Sequence, residues 1–352
     1  MLRTRCHEES LAPLRLVEAC TARSLHGERG SVGAAITKIE NGVIEVEQHV
    51  QVCPVPGPRF AETVSQRLRR WVLGSAYALA PKRIALMPQL IVLSIAHFFS
   101  AGALRKLLPE HPRYYSKRGL VGISDDLSVN ALIANYKRGI FPVCHIGAMK
   151  WWCPEERAVM DPAATHLSRN LRRMLRQHKF TVTFDQDFAG VMEACARPRP
   201  GKVPLNWITP RVMEAFFAAH EAGYAHSVEV WDSESRLVGG LYGLAIGKVF
   251  FGESQFSAVE HASKIALSAL HQHLSFWGYQ LRDAKWMTSH LAGFGFRNMP
   301  RQVFQALVHL YANQPGRVGR WSVDLRLDLA DWQQDATTPV AETPPPSRRA
   351  CA

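Results

Sequence analysis

The most regular patterning in the chain lies in its second half. Between residues 237 and 251 apolar side chains alternate through two halves, RLVGGLYGLA and KVFFGES, joined at Ile246-Gly247. A period of two is that of a strand, and a glycine-bearing join between two such runs predicts a hairpin in the middle of a sheet. Further strands are expected over 180–184, 225–231 and 279–286, with a helix over 258–276 between the last two. Other helices are marked by their ends. Asp126 or Ser128 can cap a helix whose Leu132, Ile133 and Tyr136 share one face, with Gly139 just past its end. Thr209-Pro210 supplies the N-cap and first residue of a second helix ending near Gly223, and Pro300 similarly opens a last one through Leu310. The order predicts an α+β fold around a mixed, largely antiparallel sheet.

The flanks carry less. Pro54, Pro56, Gly57 and Pro58 mark a break, after which 60–79 has helical spacing with Arg67, Arg69 and Arg70 clustered. Residues 84–104 form an uncharged run of 21, long enough to span a bilayer. Pro88, Gln89 and His97 interrupt it and basic pairs flank both ends, so a buried or protein-facing helix is expected. The N-terminus lacks the order of an export signal, and the Pro-rich tail 337–352 is expected to be disordered.

Composition narrows the reading modestly. The 352 residues allow two or three domains, and 47% hydrophobic with 20% charged residues is ordinary for a globular protein. A formal net charge of +12 favours a polyanionic partner. Seven scattered cysteines without a CxxC pair fit reduced thiols in a cytoplasm. Cys144-His145 and Cys153 lack a fourth ligand at usable spacing, so no metal is expected, and no Walker loop, nucleophile elbow or dinucleotide fingerprint points to a cofactor.

Three places could carry chemistry. In VFFGESQFSAVEHASK (249–264) Glu253 stands among Phe250, Phe251 and Phe256, where a carboxylate is costly to bury without a partner. The alternative is a solvated glutamate on the rim. In HLSRNLRRMLRQHK (166–179), Arg169, Arg172, Arg173 and Arg176 fall at offsets of three, four and seven. Such a stripe can follow a phosphate backbone, or be a solvated helix face. In YQLRDAKW (279–286), strand periodicity puts Asp283 and Lys285 on one face, as a reactive pair or a cross-face ion pair. Burial would lower the lysine's pKa and the aspartate would raise it, so the sequence does not sign the shift.

The 249–264 run, with GLVGISDDLSVNALIANYKRGIFPV (119–143), WWCPEERAV (151–159), NWITPRVMEAF (206–216) and HSVEVWDSESRLVGGLYG (226–243), resembles the leucyl/phenylalanyl-tRNA–protein transferases in order and spacing. That resemblance implies an aminoacyltransferase moving leucine or phenylalanine from its tRNA to the N-terminal Arg or Lys of proteins, which marks them for degradation. It also implies an N-terminal extension of unknown role (1–113), a small transferase-specific domain (114–155) and a GNAT-like acyltransferase domain (156–325). By the same resemblance Asp283 and Lys285 sit at the catalytic Asp-x-Gln positions, Glu253 receives the acceptor's basic side chain, Trp207 and Phe250 lie near the terminal adenosine and the aminoacyl pocket, and the four arginines contact the acceptor stem.

The chain departs from this pattern at three positions. Lys285 replaces a glutamine, Val143 a tryptophan and Thr288 an asparagine. A protonated lysine can only donate hydrogen bonds and repels an ammonium, whereas glutamine can accept. An acyltransferase using another donor such as CoA, or an inactive RNA- or protein-binding relative, therefore stands beside the transferase reading. The pyrophosphate loop expected of a CoA-using relative is missing.

Overall fold

The structure is a computed structural model, and it describes residues 33–40, 43–49, 59–80, 86–99, 108, 115–116, 118–165, 169–177, 179–198, 201 and 203–327. The predicted tail 337–352 lies outside the described residues. Two compact units divide between Gly57 and Pro58. The first contains an antiparallel hairpin of β1 (Gly33–Glu40) and β2 (Val43–His49), whose register closes at Glu40 opposite Val43.

The second unit opens with α1 (Val64–Ala78), capped by a reciprocal Thr63–Gln66 box. Then comes α2 (Met87–Phe99), the observed part of the uncharged run. None of its residues is buried, and Ile91, Val92, Ile95, Phe98 and Phe99 are exposed, which corrects the expectation of a buried helix, while His97 Nε2 meets Asp125 Oδ2 at 2.9 Å, as the protein-facing alternative has it. Among the described residues no helix is long and apolar enough to cross a membrane.

A three-stranded antiparallel sheet follows, with β5 (Lys150–Trp152) between β3 (Leu120–Ile123) and β4 (Phe141–Pro142). Before β4 runs α3 (Val129–Tyr136), where Ser128 Oγ accepts from Ala131 N as expected of the cap. Leu132 and Tyr136 are buried there.

The main sheet has seven strands in the order β12-β6-β11-β10-β9-β8-β7. Its members are β6 (Glu156–Met160), β7 (Thr181–Phe184), β8 (Ala225–Trp231), β9 (Leu237–Ile246), β10 (Val249–Ser257), β11 (Leu281–Asp283) and β12 (Arg297–Pro300). All neighbours are antiparallel except β10 and β11. The predicted α+β class and largely antiparallel sheet are therefore present. The hairpin turn lies one residue later than expected, at Gly247-Lys248, since Ile246 pairs with Val249. Gly247 has φ +59°, and a Cβ there would stand 2.5 Å from the Tyr311 carbonyl, so the turn needs glycine twice over.

Helices cover both faces of this sheet. On one, α4 (Arg169–Leu175) and α7 (Ala262–Phe276) pack with Val228, Val230, Leu241, Ala245 and Phe250. On the other, α5 (Phe188–Ala196) and α6 (Pro210–Glu221) share a core with Tyr242, Leu244, Ile246 and Phe251 and with Tyr136, Phe141 and Trp151 of the small sheet's layer. Alternate residues of one strand thus serve opposite cores. The short α8 (Ser289–Ala292) and α9 (Arg301–Tyr311) are the last helices among the described residues, with Pro300 as the N-cap of α9 rather than its first helical residue.

Candidate active site

Glu253 owes its position to an irregularity in the sheet. Gly252 pairs with Gly243 and Ser254 with Tyr242, which leaves Glu253 as the extra residue of a β-bulge. A bulge re-aims a side chain, and the strand continues beyond it to Ser257. Glu253 Oε1 accepts from Tyr136 Oη at 2.7 Å, and Tyr136 meets Phe251 edge-on at 5.2 Å between centroids. The carboxylate is fully buried, which excludes the solvated-rim alternative.

Asp283 and Lys285 are brought to the same place but do not pair as a cross-face ion pair. Strand β11 ends at Asp283, and Lys285 takes a left-handed φ of +66°, so strand periodicity does not extend to it. Asp283 accepts instead from Arg157 on β6, Nε to Oδ1 at 3.0 Å and Nη2 to Oδ2 at 2.6 Å, with both side chains fully buried. The remaining Arg157 nitrogen, Nη1, reaches the Gly139 carbonyl at 2.6 Å. Asp283 Oδ1 also accepts the Lys285 backbone N–H at 3.0 Å, which helps hold the unusual turn.

The Lys285 side chain crosses to β10. Its Nζ lies 2.6 Å from Glu253 Oε1 and 2.7 Å from the Gly252 carbonyl, with only 4% of the side chain exposed. The rings of Phe141 and Tyr136 stand 5.2 and 5.9 Å away. Two buried ion pairs, Arg157–Asp283 and Lys285–Glu253, therefore sit side by side where the three-residue β10–β11 pairing ends. Their charges sum to zero.

Burial sets the electrostatics. It pushes the Glu253 carboxyl above its ordinary range, against the Lys285 charge and the hydrogen bonds of Lys285 and Tyr136. It also pushes the Lys285 ammonium below its ordinary value, with Glu253 and Asp283 opposing, and this signs the shift that sequence left open. For Arg157 burial acts against the charge too, but Asp283 and its hydrogen bonds are among the influences that outweigh it, and the guanidinium is held above its ordinary value.

The other expected residues are more scattered. Phe250 is buried on the opposite face of the sheet from Phe251, facing Trp321 at 6.0 Å. Trp207 is half-buried against the core that contains Tyr136. In α4, Leu171 and Leu175 anchor the helix while Arg169, Arg173 and Arg176 are exposed. Arg172 is half-buried with a buried Nε that has no hydrogen-bond partner. Thr288, at the asparagine position, caps α8 by accepting from Leu291 N at 3.2 Å, a task either side chain can perform.

Sequence reasoning missed three residues of this centre. Arg157 could have been found as a lone arginine opening the apolar run Ala-Val-Met, which demands a buried carboxylate. The helical pattern around Tyr136 marks it only as a packing residue. Arg282 gave no signal: it is 4% exposed, its guanidinium lies against Gly252, and its Nε is unpartnered. Burial, only partly opposed by the Asp283 charge, lowers its pKa to about 10.

Comparison with known proteins agrees with the site's sequence motifs. Residues 159–309 match the family model described as leucyl/phenylalanyl-tRNA protein transferase, and residues 125–155 match the N-terminal domain of the same family. A leucyl/phenylalanyl-tRNA–protein transferase of Pseudomonas syringae pv. syringae is 46% identical over 198 residues, covering 56% of this chain and 86% of that one. Its counterpart in Nitrosospira multiformis is 41% identical over 217 residues, 61% of this chain and 93% of the other. Among solved structures, L-PGS from Bacillus licheniformis aligns over 52% of this chain and 60% of its own, at 11% identity and a TM-score of 0.27. With two adjoining family models matched in order, and relatives above 40% identity aligned over most of their length, the chain belongs to the leucyl/phenylalanyl-tRNA protein transferase family.

Proposed function

We propose that this protein transfers leucine or phenylalanine from aminoacyl-tRNA to the N-terminal Arg or Lys of an acceptor protein, marking it for degradation. Family membership supports the reaction class, and the buried Lys285–Glu253 pair beside Arg157–Asp283 is the observation that carries the assignment of roles. The reaction forms a C–N bond between the acceptor's α-amine and the ester carbonyl, breaks the ester C–O bond, and moves one proton from the amine to the departing ribose oxygen. The ester is already activated, so alignment and handling of that proton are what the protein must supply.

Asp283 is a positioning residue in this reading. Its two oxygens already accept three hydrogen bonds, and one of them fixes the turn from which Lys285 projects. Lys285, whose ammonium is disfavoured by burial, is the group that accepts the α-amine's proton after its own proton has been released to solvent. Glu253 receives the acceptor's basic side chain, and its second oxygen, Oε2, is buried and unpartnered. Trp207, which packs on the same core as Tyr136, lies near the terminal adenosine in this reading, and Arg169, Arg172, Arg173 and Arg176 of α4 hold the tRNA acceptor stem at a distance from the ester, whereas Phe250, buried on the opposite face of the sheet, backs the site without touching the aminoacyl group. The GNAT-like arrangement belongs to this reading, since the donor would then approach where the parallel strands β10 and β11 part. This reaction belongs to the cytoplasm, where charged tRNA is found.

The deciding experiment incubates the full chain with Leu-tRNA or Phe-tRNA, and in parallel with an acyl-CoA, using an arginine-starting peptide as acceptor. Peptide acylated from charged tRNA alone is expected. Acylation from CoA alone, or from neither, would refute the reading.

A further inference from the structure

Glu253 is the only anion facing Lys285 within ion-pair distance among the described residues, and Lys285 the only cation so facing Glu253. The lysine arrives from an unusual direction. Its backbone is held in a left-handed turn by Asp283, and its four-carbon stem carries the ammonium back across β10 to the bulge. What it does there is what a lysine at the start of a peptide would do: it places a primary ammonium on Oε1, with Tyr136 donating to the same oxygen.

We propose that Lys285 occupies, in the free protein, the place on Glu253 that an acceptor's basic first side chain takes, so that such an acceptor enters by exchanging one cation for another. The proposal rests on the transferase reading and makes Lys285 a specificity-determining residue within it. Two observations beyond the short distance support it. Glu253 Oε2 is fully buried and has no partner, which leaves one acceptor position for an incoming N–H group. Lys285 also has somewhere to go, because Nζ keeps the Gly252 carbonyl at 2.7 Å and the ring faces of Phe141 and Tyr136 when the carboxylate is taken over.

The exchange has two consequences. Because the carboxylate is neutralised before the acceptor arrives, a basic first residue gains little net charge attraction, and the preference over an uncharged first residue is small in the wild-type chain. Because the displaced lysine is without its counter-ion inside a buried site, it sheds its proton more readily, so the acceptor's own cation readies the base that serves its α-amine.

The test measures binding and transfer for arginine-starting and alanine-starting peptides that are otherwise identical, with the full wild-type chain and Lys285→Gln. By calorimetry without tRNA, the wild type is expected to bind the two within about threefold, and Lys285→Gln to bind the arginine peptide about tenfold tighter or more with the alanine peptide unchanged. In transfer assays, the alkaline-going limb of kcat should lie at lower pH for the arginine peptide than for the alanine peptide in the wild type, and this difference should vanish in Lys285→Gln. A wild type that already prefers the arginine peptide by more than about thirtyfold overturns the proposal, as does an unchanged preference in a folded variant. If the variant does not fold, the wild-type ratio decides alone. If charged tRNA acylates no peptide, the transferase reading fails, while the binding ratios still decide whether Lys285 competes for Glu253.

Discussion

Arg157 grips Asp283 with two parallel hydrogen bonds, 3.0 and 2.6 Å long, and neither side chain has any exposed surface. A fork of this kind matters most where both charges are desolvated, because removing one partner strands the other. Asp283→Asn and Arg157→Met are each expected to destabilise the protein by about 3–5 kcal/mol, read as a lowered denaturant midpoint at unchanged slope. The neighbouring turn should loosen as well, since the Lys285 N–H would be without its charged acceptor. If Asp283→Asn unfolds at the wild-type midpoint, the fork is not holding this corner together.

The second pair makes a contrasting prediction. Glu253→Gln leaves Lys285 buried beside a neutral amide, and Lys285→Met leaves a buried carboxylate with only Tyr136 to answer it. Each single change should cost more than the double change, with a coupling of at least about 1 kcal/mol, because removing both charges removes the need to desolvate either. Simple additivity in a double-mutant cycle would mean that the 2.6 Å ion pair contributes nothing.

These two pairs also show how far sequence could be read. The strand over 225–231 and the starts of α3 and α6 were legible, because a period of two and a cap at Ser128 or Thr209 are local signals, whereas α7 begins at Ala262 rather than at 258, behind a left-handed His261. Glu253 and Asp283 were legible as site residues through the motifs around them. What was not legible is how they pair. Strand periodicity puts Lys285 on the face of Asp283, but a positive φ at a lysine has no sequence signature, and it turns the side chain toward Glu253 instead. The bulge that re-aims Glu253 depends on register against β9, and Arg157 is distant from Asp283 by 126 positions. Strands β6 and β12 are hidden for a related reason: Glu156–Met160 and Arg297–Pro300 are too short for periodicity to speak.

A pH dependence follows from α7. His271 is fully buried, with Nδ1 against Thr165 Oγ1 at 2.8 Å and Nε2 unpartnered, and burial together with the Arg282 charge pushes its pKa well below the ordinary value. The unfolded chain takes up a proton near the ordinary histidine pKa of about 6.5 while the folded protein does not, so this stability is present above that pH and is lost as pH falls. Between pH 6.5 and 5.5 the wild type should lose up to about 1 kcal/mol more than His271→Asn. Equal losses in thermal or urea unfolding would show that the imidazole is not held neutral.

The basic helix separates affinity from stability. Leu171 and Leu175 fix α4 to the core, whereas Arg169 and Arg173 stand exposed four residues apart, on a helix whose like charges repel without an external anion. Replacing both by glutamine should leave the unfolding midpoint within about 0.5 kcal/mol of wild type, as for surface positions generally. Binding of charged tRNA should nevertheless weaken, and the slope of log K against log salt should flatten by up to about two units, one for each phosphate no longer neutralised. Phosphate contacts carry no base information, so affinity should fall by the same factor for Leu-tRNA and Phe-tRNA. Arg172 differs, because it is half-buried with an unpartnered Nε, and its replacement should change stability as well as binding. If the Arg169 and Arg173 double variant keeps the wild-type salt slope, this face of α4 is solvated rather than bound to RNA.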